Sequence, residues 1–275
     1  MEDLDFTSPA REALYDPNVA RACFEALGSP ASAADGQAFF SEQDPSDRMY
    51  LLTEGSVRLT RGKRTLDIIK PGEIFGEMAV ITGGARTAAA VAKGESRALA
   101  LDARQFEQAL ERTPEFALML MSILINRLRL TVEILARSGR LGDDHAREAR
   151  RVFDDTLLEE LGAALKRPPQ AFAARHPIMQ EGERGGFMYV VLEGRVAVSI
   201  RSKVVERVGP GGALGEMALV DQSPRAASAA AEVDSRLLAI NRSDFLSLVK
   251  SRPAFAISLL RSLARRLRRM TAQQA

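Results

Sequence analysis

The chain repeats itself. Glu54-Gly55 recurs as Glu193-Gly194, and Pro71-Gly72 as Pro210-Gly211. Gly76-Glu77-Met78-Ala79 recurs as Gly215-Glu216-Met217-Ala218, Arg86 as Arg225, Phe106 as Phe245 and Pro114 as Pro253. Arg127-Leu128-Arg129 closes the series as Arg266-Leu267-Arg268. Each pair is 139 residues apart, so the register runs on without an insertion, and a unit of this length is far too long for a solenoid repeat. The 275 residues therefore read as two copies of one domain, a count that the length also allows.

Each copy follows the same plan. A short helix opens it, Asn18 to Leu27 in the first and Phe153 to Leu165 in the second. Short apolar or alternating runs follow, bounded by turn residues. Met49-Tyr50-Leu51-Leu52 and Met188-Tyr189-Val190-Val191-Leu192 read as strands ending at Glu-Gly, and Val57 to Thr60 and Val196 to Ser199 as half-buried strands. Many short strands at such spacing predict a jelly roll or barrel. A helix led by proline, Pro114 or Pro253, closes each copy, with proline in its favoured first-turn position. In the second closing helix Phe255, Leu259, Leu260, Leu263, Leu267 and Met270 form one stripe. The first, Phe116 to Leu135, is apolar almost all round, which predicts burial on two sides. Gly139 and Gly142 break that helix, and Asp143-Asp144 can cap the next. The expected domains are 1–140 and 141–275.

One segment of each copy carries chemistry. The first reads Phe75-Gly76-Glu77-Met78, then a turn, then Arg86-Thr87-Ala88; the second reads Leu214-Gly215-Glu216-Met217, a turn, then Arg225-Ala226-Ala227. Glycine lets the backbone approach a ligand closely, and a helical turn after it aims free N–H groups outward, which suits an anion. An arginine past the turn can return and grip phosphate oxygens in a bidentate fork. The glutamate seeks a donor, such as a sugar hydroxyl. Phosphate and ribose together make a nucleotide.

This segment resembles the phosphate-binding cassette of cyclic-nucleotide-binding domains, the family of the bacterial cAMP receptor protein and the regulatory subunits of protein kinase A. The likeness covers about Phe39 to Leu130 and Ile178 to Met270 and includes the Glu-Gly and Pro-Gly turns. It implies an α+β fold of two tandem domains, each an antiparallel jelly-roll barrel with flanking helices. It also implies that Glu77 and Glu216 hold a ribose 2′-hydroxyl and that Arg86 and Arg225 hold the cyclic phosphate. Backbone N–H groups around Gly76-Glu77 and Arg86-Thr87-Ala88, and their second-copy counterparts, complete the cradle. Thr87 resembles the family's cGMP-preferring pattern and Ala226 its cAMP pattern; a purely local packing or capping role for Thr87 is the alternative. Two positions depart from the pattern: Ala85 where the family has proline, and Gln43 where the second copy has Gly182.

Composition narrows the function. His145 and His176 lie far apart with no cysteine beside either, and GxSxG, HExxH and P-loop motifs are absent. We expect a binding protein, not an enzyme, with cAMP or cGMP as ligand and no metal or cofactor. The single cysteine, Cys23, and an acidic N-terminus without a leader pattern fit the cytoplasm. No apolar run reaches the ~20 residues of a membrane span. Few residues follow Met270 or separate the copies, which leaves no room for a DNA-binding domain and predicts output through an unknown protein effector or a homodimer formed by the closing helices. After Asp244 the chain carries seven basic residues and no acidic one, against a net charge of +2 overall. That stripe supports the rival reading, a ligand-free relic of the fold binding a protein or nucleic acid through its basic last helix.

Overall fold

The computed structural model describes residues 16–45, 47–140 and 147–272. Two compact units divide at Met119 and Leu120, inside the first closing helix and ahead of the break at Gly139. Gly142, Asp143, Asp144, His145 and the acidic N-terminus lie outside the described residues.

In the first unit, α1 (Pro17–Leu27) is capped by Asp16, whose carboxylate accepts from the Asn18 N–H at 2.8 Å. Strands β1 (Ser29–Ala33), β2 (Ala38–Phe40), β3 (Met49–Glu54), β4 (Val57–Arg61), β5 (Arg64–Ile69) and β6 (Ile74–Phe75) follow. Then come α2 (Glu77–Thr82), β7 (Ala89–Ala92), β8 (Ser96–Leu101), α3 (Ala103–Arg112) and α4 (Pro114–Arg137). The strands form two antiparallel sheets, ordered β1-β8-β3-β6 and β2-β7-β4-β5, an eight-stranded jelly roll. Asp102 and Gln105 start α3 with a capping box, and Gln105 also donates to the Leu27 carbonyl at 2.7 Å, tying α3 to the end of α1.

The second unit repeats the plan. After β9 (Arg147–Glu148) and α5 (Asp155–Leu165) come β10 (Gln170–Phe172), β11 (Pro177–Met179), β12 (Phe187–Glu193), β13 (Val196–Ile200), β14 (Lys203–Val208) and β15 (Ala213–Leu214). They lead to α6 (Glu216–Asp221), β16 (Ser228–Ala231), β17 (Ser235–Asn241), α7 (Arg242–Ser251) and α8 (Pro253–Ala272). One sheet runs β10-β17-β12-β15 and the other β11-β16-β13-β14-β9. Even the pairing is duplicated: Tyr50 faces Ala100 and Tyr189 faces Ala239, with a bulge between Leu52 and Glu54 and another between Val191 and Glu193.

Two details differ from the sequence expectation. The barrel of the second unit is not wholly antiparallel, because β9 joins β14 as a short parallel strand. The opening helix of that unit starts at Asp155 rather than Phe153, because the Asp154 carboxylate caps it through the Leu157 N–H at 2.9 Å. The repeated Glu-Gly turns have a steric cause. Gly55 and Gly194 hold φ of 83° and 88°, and a Cβ on either would lie about 2.5 Å or less from the Ser96 or Ser235 hydroxyl.

The apolar stripe on α8 is observed: Phe255, Leu259, Leu260, Leu263 and Leu267 are buried. Phe255 stacks on Phe153 with ring centroids 5.4 Å apart and meets Phe245 edge-on at 5.9 Å. Among the described residues no helix is long and apolar enough to cross a membrane. Because Phe255 is fully enclosed, Phe255→Ala is expected to destabilise the chain by about 3–5 kcal/mol. Chemical denaturation checks this; an unchanged midpoint would contradict the packing of α8 on its barrel.

Candidate functional site

Each repeated segment begins where a strand ends and a one-and-a-half-turn helix starts. Gly76 precedes α2 with φ 75° and Gly215 precedes α6 with φ 81°, a left-handed conformation that side chains strain to adopt. Space forbids them too. A Cβ on Gly76 would sit 2.7 Å from the Arg86 guanidinium and 3.0 Å from the Phe40 ring, and one on Gly215 would sit 2.6 Å from the Arg225 guanidinium.

The arginines return to these glycines. Arg86 Nη1 donates to the Gly76 carbonyl at 2.7 Å and Nη2 to the Arg48 carbonyl at 2.5 Å. Arg225 Nη1 donates to the Gly215 carbonyl at 2.8 Å and Nη2 to the Phe187 carbonyl at 2.5 Å. Both residues are buried, Arg86 to 2% exposure and Arg225 to 7%. Burial pushes the Arg86 guanidinium below its ordinary value, with Tyr50, Glu77, Asp47 and Asp44 opposing. Burial does the same at Arg225 against Tyr189, Glu216 and Glu183. Among the described residues no carboxylate lies within ion-pair distance of Arg225. The second site therefore holds a desolvated cation on backbone carbonyls alone.

The arginines are fixed from the loop side as well. Arg86 N–H donates to the Asp44 carbonyl and Gln43 N–H to the Arg86 carbonyl; Arg225 and Glu183, and Gly182 and Arg225, repeat both bonds. Gln43 therefore does the work of Gly182, and it takes the same left-handed turn, φ 70° against 84°. Ala85 sits in the loop that delivers Arg86 without altering that bond pair.

Each arginine is roofed differently. The Arg86 guanidinium lies 3.9 Å above the Phe40 ring, within a stack of Phe40, Tyr50 and Phe75. At the second site backbone takes this place, for a Cβ on Gly185 would fall 2.3 Å from the Arg225 guanidinium carbon. Tyr189 there packs edge-on against Phe172 at 6.2 Å.

The glutamates sit beside the arginines, buried to 5% exposure at Glu77 and 3% at Glu216. Glu216 accepts from Arg266 Nη1 of α8 at 2.7 Å. Arg266 also pairs with Glu206 at 3.3 Å, and Glu206 accepts from Arg269 at 2.9 Å. Burial alone would lower the Arg266 guanidinium, but Glu206 and Glu216 outweigh it and hold it above its ordinary value. Arg266 Nε is buried with no hydrogen-bond partner among the described residues.

The structure thus brings Gly76, Glu77 and Arg86 together in the first unit and Gly215, Glu216 and Arg225 in the second, with Phe75, Met78, Leu214 and Met217 adjoining them in the chain. Thr87 is half-buried, with its carbonyl taking a bond from Arg61 Nε at 3.1 Å, and Ala226 occupies the matching place. Ala88 is buried, whereas Ala227 faces a small cluster with Leu135 and Ile200. Sequence reasoning missed the carbonyl acceptors at Arg48 and Phe187, the Phe40 and Gly185 roofs, and the Glu206 and Arg266 partners. Only the repeated Arg-Leu-Arg hinted at the last. Among the described residues no group of three or more His, Cys, Asp or Glu could hold a metal ion.

Known proteins are similar to this chain. The family model for the cyclic nucleotide-binding domain matches residues 31–113 and 169–252. The cyclic AMP receptor protein of Thermus thermophilus is 39% identical over 123 residues, 42% of this chain and 57% of the relative. A CRP-like cAMP-activated global transcriptional regulator of Mycobacterium tuberculosis is 31% identical over 143 residues, covering 50% of this chain and 58% of its own. This chain thus spans little more than half the length of either. The cGMP-dependent protein kinase egl-4 of Caenorhabditis briggsae is 25% identical over 79% of this chain and 27% of the kinase. Among solved structures, the regulatory domain of Toxoplasma gondii PKA with cAMP is 19% identical and covers 86% of this chain and 87% of its own, with a TM-score of 0.33. With the family's domain matched once in each unit, the chain belongs to the cyclic nucleotide-binding domain family.

Proposed function

We propose that the chain is a cytoplasmic sensor that binds one cyclic nucleotide in each unit and signals through its closing helices. The observation that carries this reading is Arg225. A buried charge is costly unless it is paired, and among the described residues Arg225 donates to carbonyls with no carboxylate at ion-pair distance. A cyclic phosphate supplies the missing anion. In this reading backbone N–H groups around Gly215-Glu216 complete the cradle, and Glu216, buried beside Arg225, accepts from the ribose 2′-hydroxyl. Arg86 and Glu77 stand at the matching positions around α2, with Arg86 donating to the Gly76 and Arg48 carbonyls.

Thr87 adds a hydroxyl to the first site that Ala226 lacks in the second. A hydroxyl contact is worth about 0.5–1.5 kcal/mol net, so we assign the first site a cGMP bias of up to about tenfold and the second a cAMP bias. The closing helix enters through Arg266, which holds the same carboxylate that would receive the ribose. Nucleotide and helix thus draw on one acceptor, and differential binding to two helix arrangements is what a switch requires. The rival nucleic-acid reading loses ground here, because Arg266 and Arg269 are committed to Glu216 and Glu206.

Calorimetric titration of ligand-stripped protein with cAMP, and separately with cGMP, is expected to give two nucleotides per chain. Arg86→Ala and Arg225→Ala should each leave one strong site, the other weakened by about 2–5 kcal/mol. Two sites of undiminished affinity in both variants would remove the assignment. The helix mechanism has its own check in amide hydrogen exchange. Saturating cAMP is expected to change exchange along α8 in the native chain and not in Arg225→Ala; identical exchange with and without nucleotide would leave α8 out of the response.

A further inference from the structure

We infer that Arg129, on α4, is a positioning residue for the second nucleotide site, an inference that rests on the reading of that site given above. From Leu120 onward α4 belongs to the second unit, and there its Arg129 clamps the loop that delivers Arg225. Arg129 Nε donates to Asp221 Oδ2 at 2.6 Å, Nη2 to Asp221 Oδ1 at 3.1 Å, and Nη1 to the Pro224 carbonyl at 3.1 Å. The fork takes both carboxylate oxygens at once, the geometry in which arginine binds most specifically.

Asp221 ends α6, and its side chain is only 4% exposed. Its Oδ1 also accepts from the Ser223 N–H at 3.0 Å, so one carboxylate holds both the helix end and the turn after it. Gln222 between them is strained into φ 53°. The clamp therefore grips the four residues from Asp221 to Pro224 at both ends, and the next residue is Arg225. Arg225 itself is tied through its own N–H and carbonyl to Glu183 and Gly182. Its guanidinium can meet a phosphate only where this loop places it.

The first unit is built otherwise. Thr82 stands where the second unit has Asp221, and its hydroxyl turns back to the Met78 carbonyl at 2.6 Å. The segment after it is Gly83-Gly84-Ala85 in place of Gln222-Ser223-Pro224. Arg129 is thus a determinant of one site and not of the other, although it touches neither nucleotide.

The test is calorimetric titration of the full chain with cAMP, reading each site separately by placing Arg129→Ala in an Arg86→Ala or an Arg225→Ala background. The second site, read in the Arg86→Ala background, is expected to bind about tenfold more weakly, roughly the loss of one charge-assisted hydrogen bond. The first site, read in the Arg225→Ala background, should keep its affinity. Arg129→Lys should recover part of the loss. Asp221→Asn should match it, and the pair Arg129→Ala with Asp221→Asn should lose no more than either alone, as residues acting through one contact do. Equal weakening of both sites, full additivity of the pair, or an unchanged second site with Arg225→Ala still disabling it would overturn the clamp. If Arg225→Ala leaves the second site intact, the site reading fails and the clamp fails with it.

Discussion

The structure turns on a guanidinium that folding has taken out of water. Arg86 and Arg225 are each held by two backbone carbonyls, one on the glycine before the short helix and one at Arg48, just ahead of β3, or at Phe187, the first residue of β12. Carbonyl dipoles meet the guanidinium N–H groups but carry no net charge, and at Arg225, where no carboxylate lies within ion-pair distance among the described residues, an interior charge so held is costly. Other features of the site follow from this. The glycine must stay bare because the guanidinium occupies the space of its side chain. The loop must be pinned at both ends of the arginine, and the roof must be a surface that tolerates a cation, an aromatic face at Phe40 or bare backbone at Gly185.

The duplication also shows what one scaffold permits its two copies to vary. Strand register and bulges agree residue for residue, because a one-residue slip would turn every side chain to the other face of the sheet. Around the arginine the copies differ at Phe40 against Met179, at Thr82 against Asp221 at the helix end, and at Thr87 against Ala226. These are changes of surroundings on an unchanged skeleton, the places where two sites can acquire separate affinities without disturbing a shared core.

The repeat, the strands around Glu-Gly and Pro-Gly, and the Gly-Glu and Arg pairs were legible in the sequence because each depends on residue identity at fixed spacing. Gly76 and Arg86 could be recognised as partners since glycine lets another group approach the backbone closely and arginine offers a bidentate fork. The acceptors at Arg48 and Phe187 were not legible, because every residue carries a carbonyl and its direction is set by the fold. Gln43 read as a departure from Gly182, yet it adopts the same left-handed turn, its cost borne by the two hydrogen bonds around Arg86. The parallel strand β9 is two residues long and has no periodicity to betray it. The Arg266–Glu216 pair joins residues fifty apart, a distance that local pattern does not span.

The aromatic surroundings of the two arginines have an optical consequence. The chain contains no tryptophan and three tyrosines, and one of these, Tyr15, lies outside the described residues. The other two are Tyr50, 5.9 Å from the Arg86 guanidinium, and its counterpart Tyr189, on the strand whose Phe187 carbonyl accepts from Arg225. Phenol emission, unmasked by any indole, therefore arises in large part beside the two charges. Their environments differ, a stacked trio around Tyr50 and an edge-on phenylalanine at Tyr189. The protein thus carries one native chromophore for each of its sites, and Tyr50→Phe or Tyr189→Phe would separate their signals without an added label.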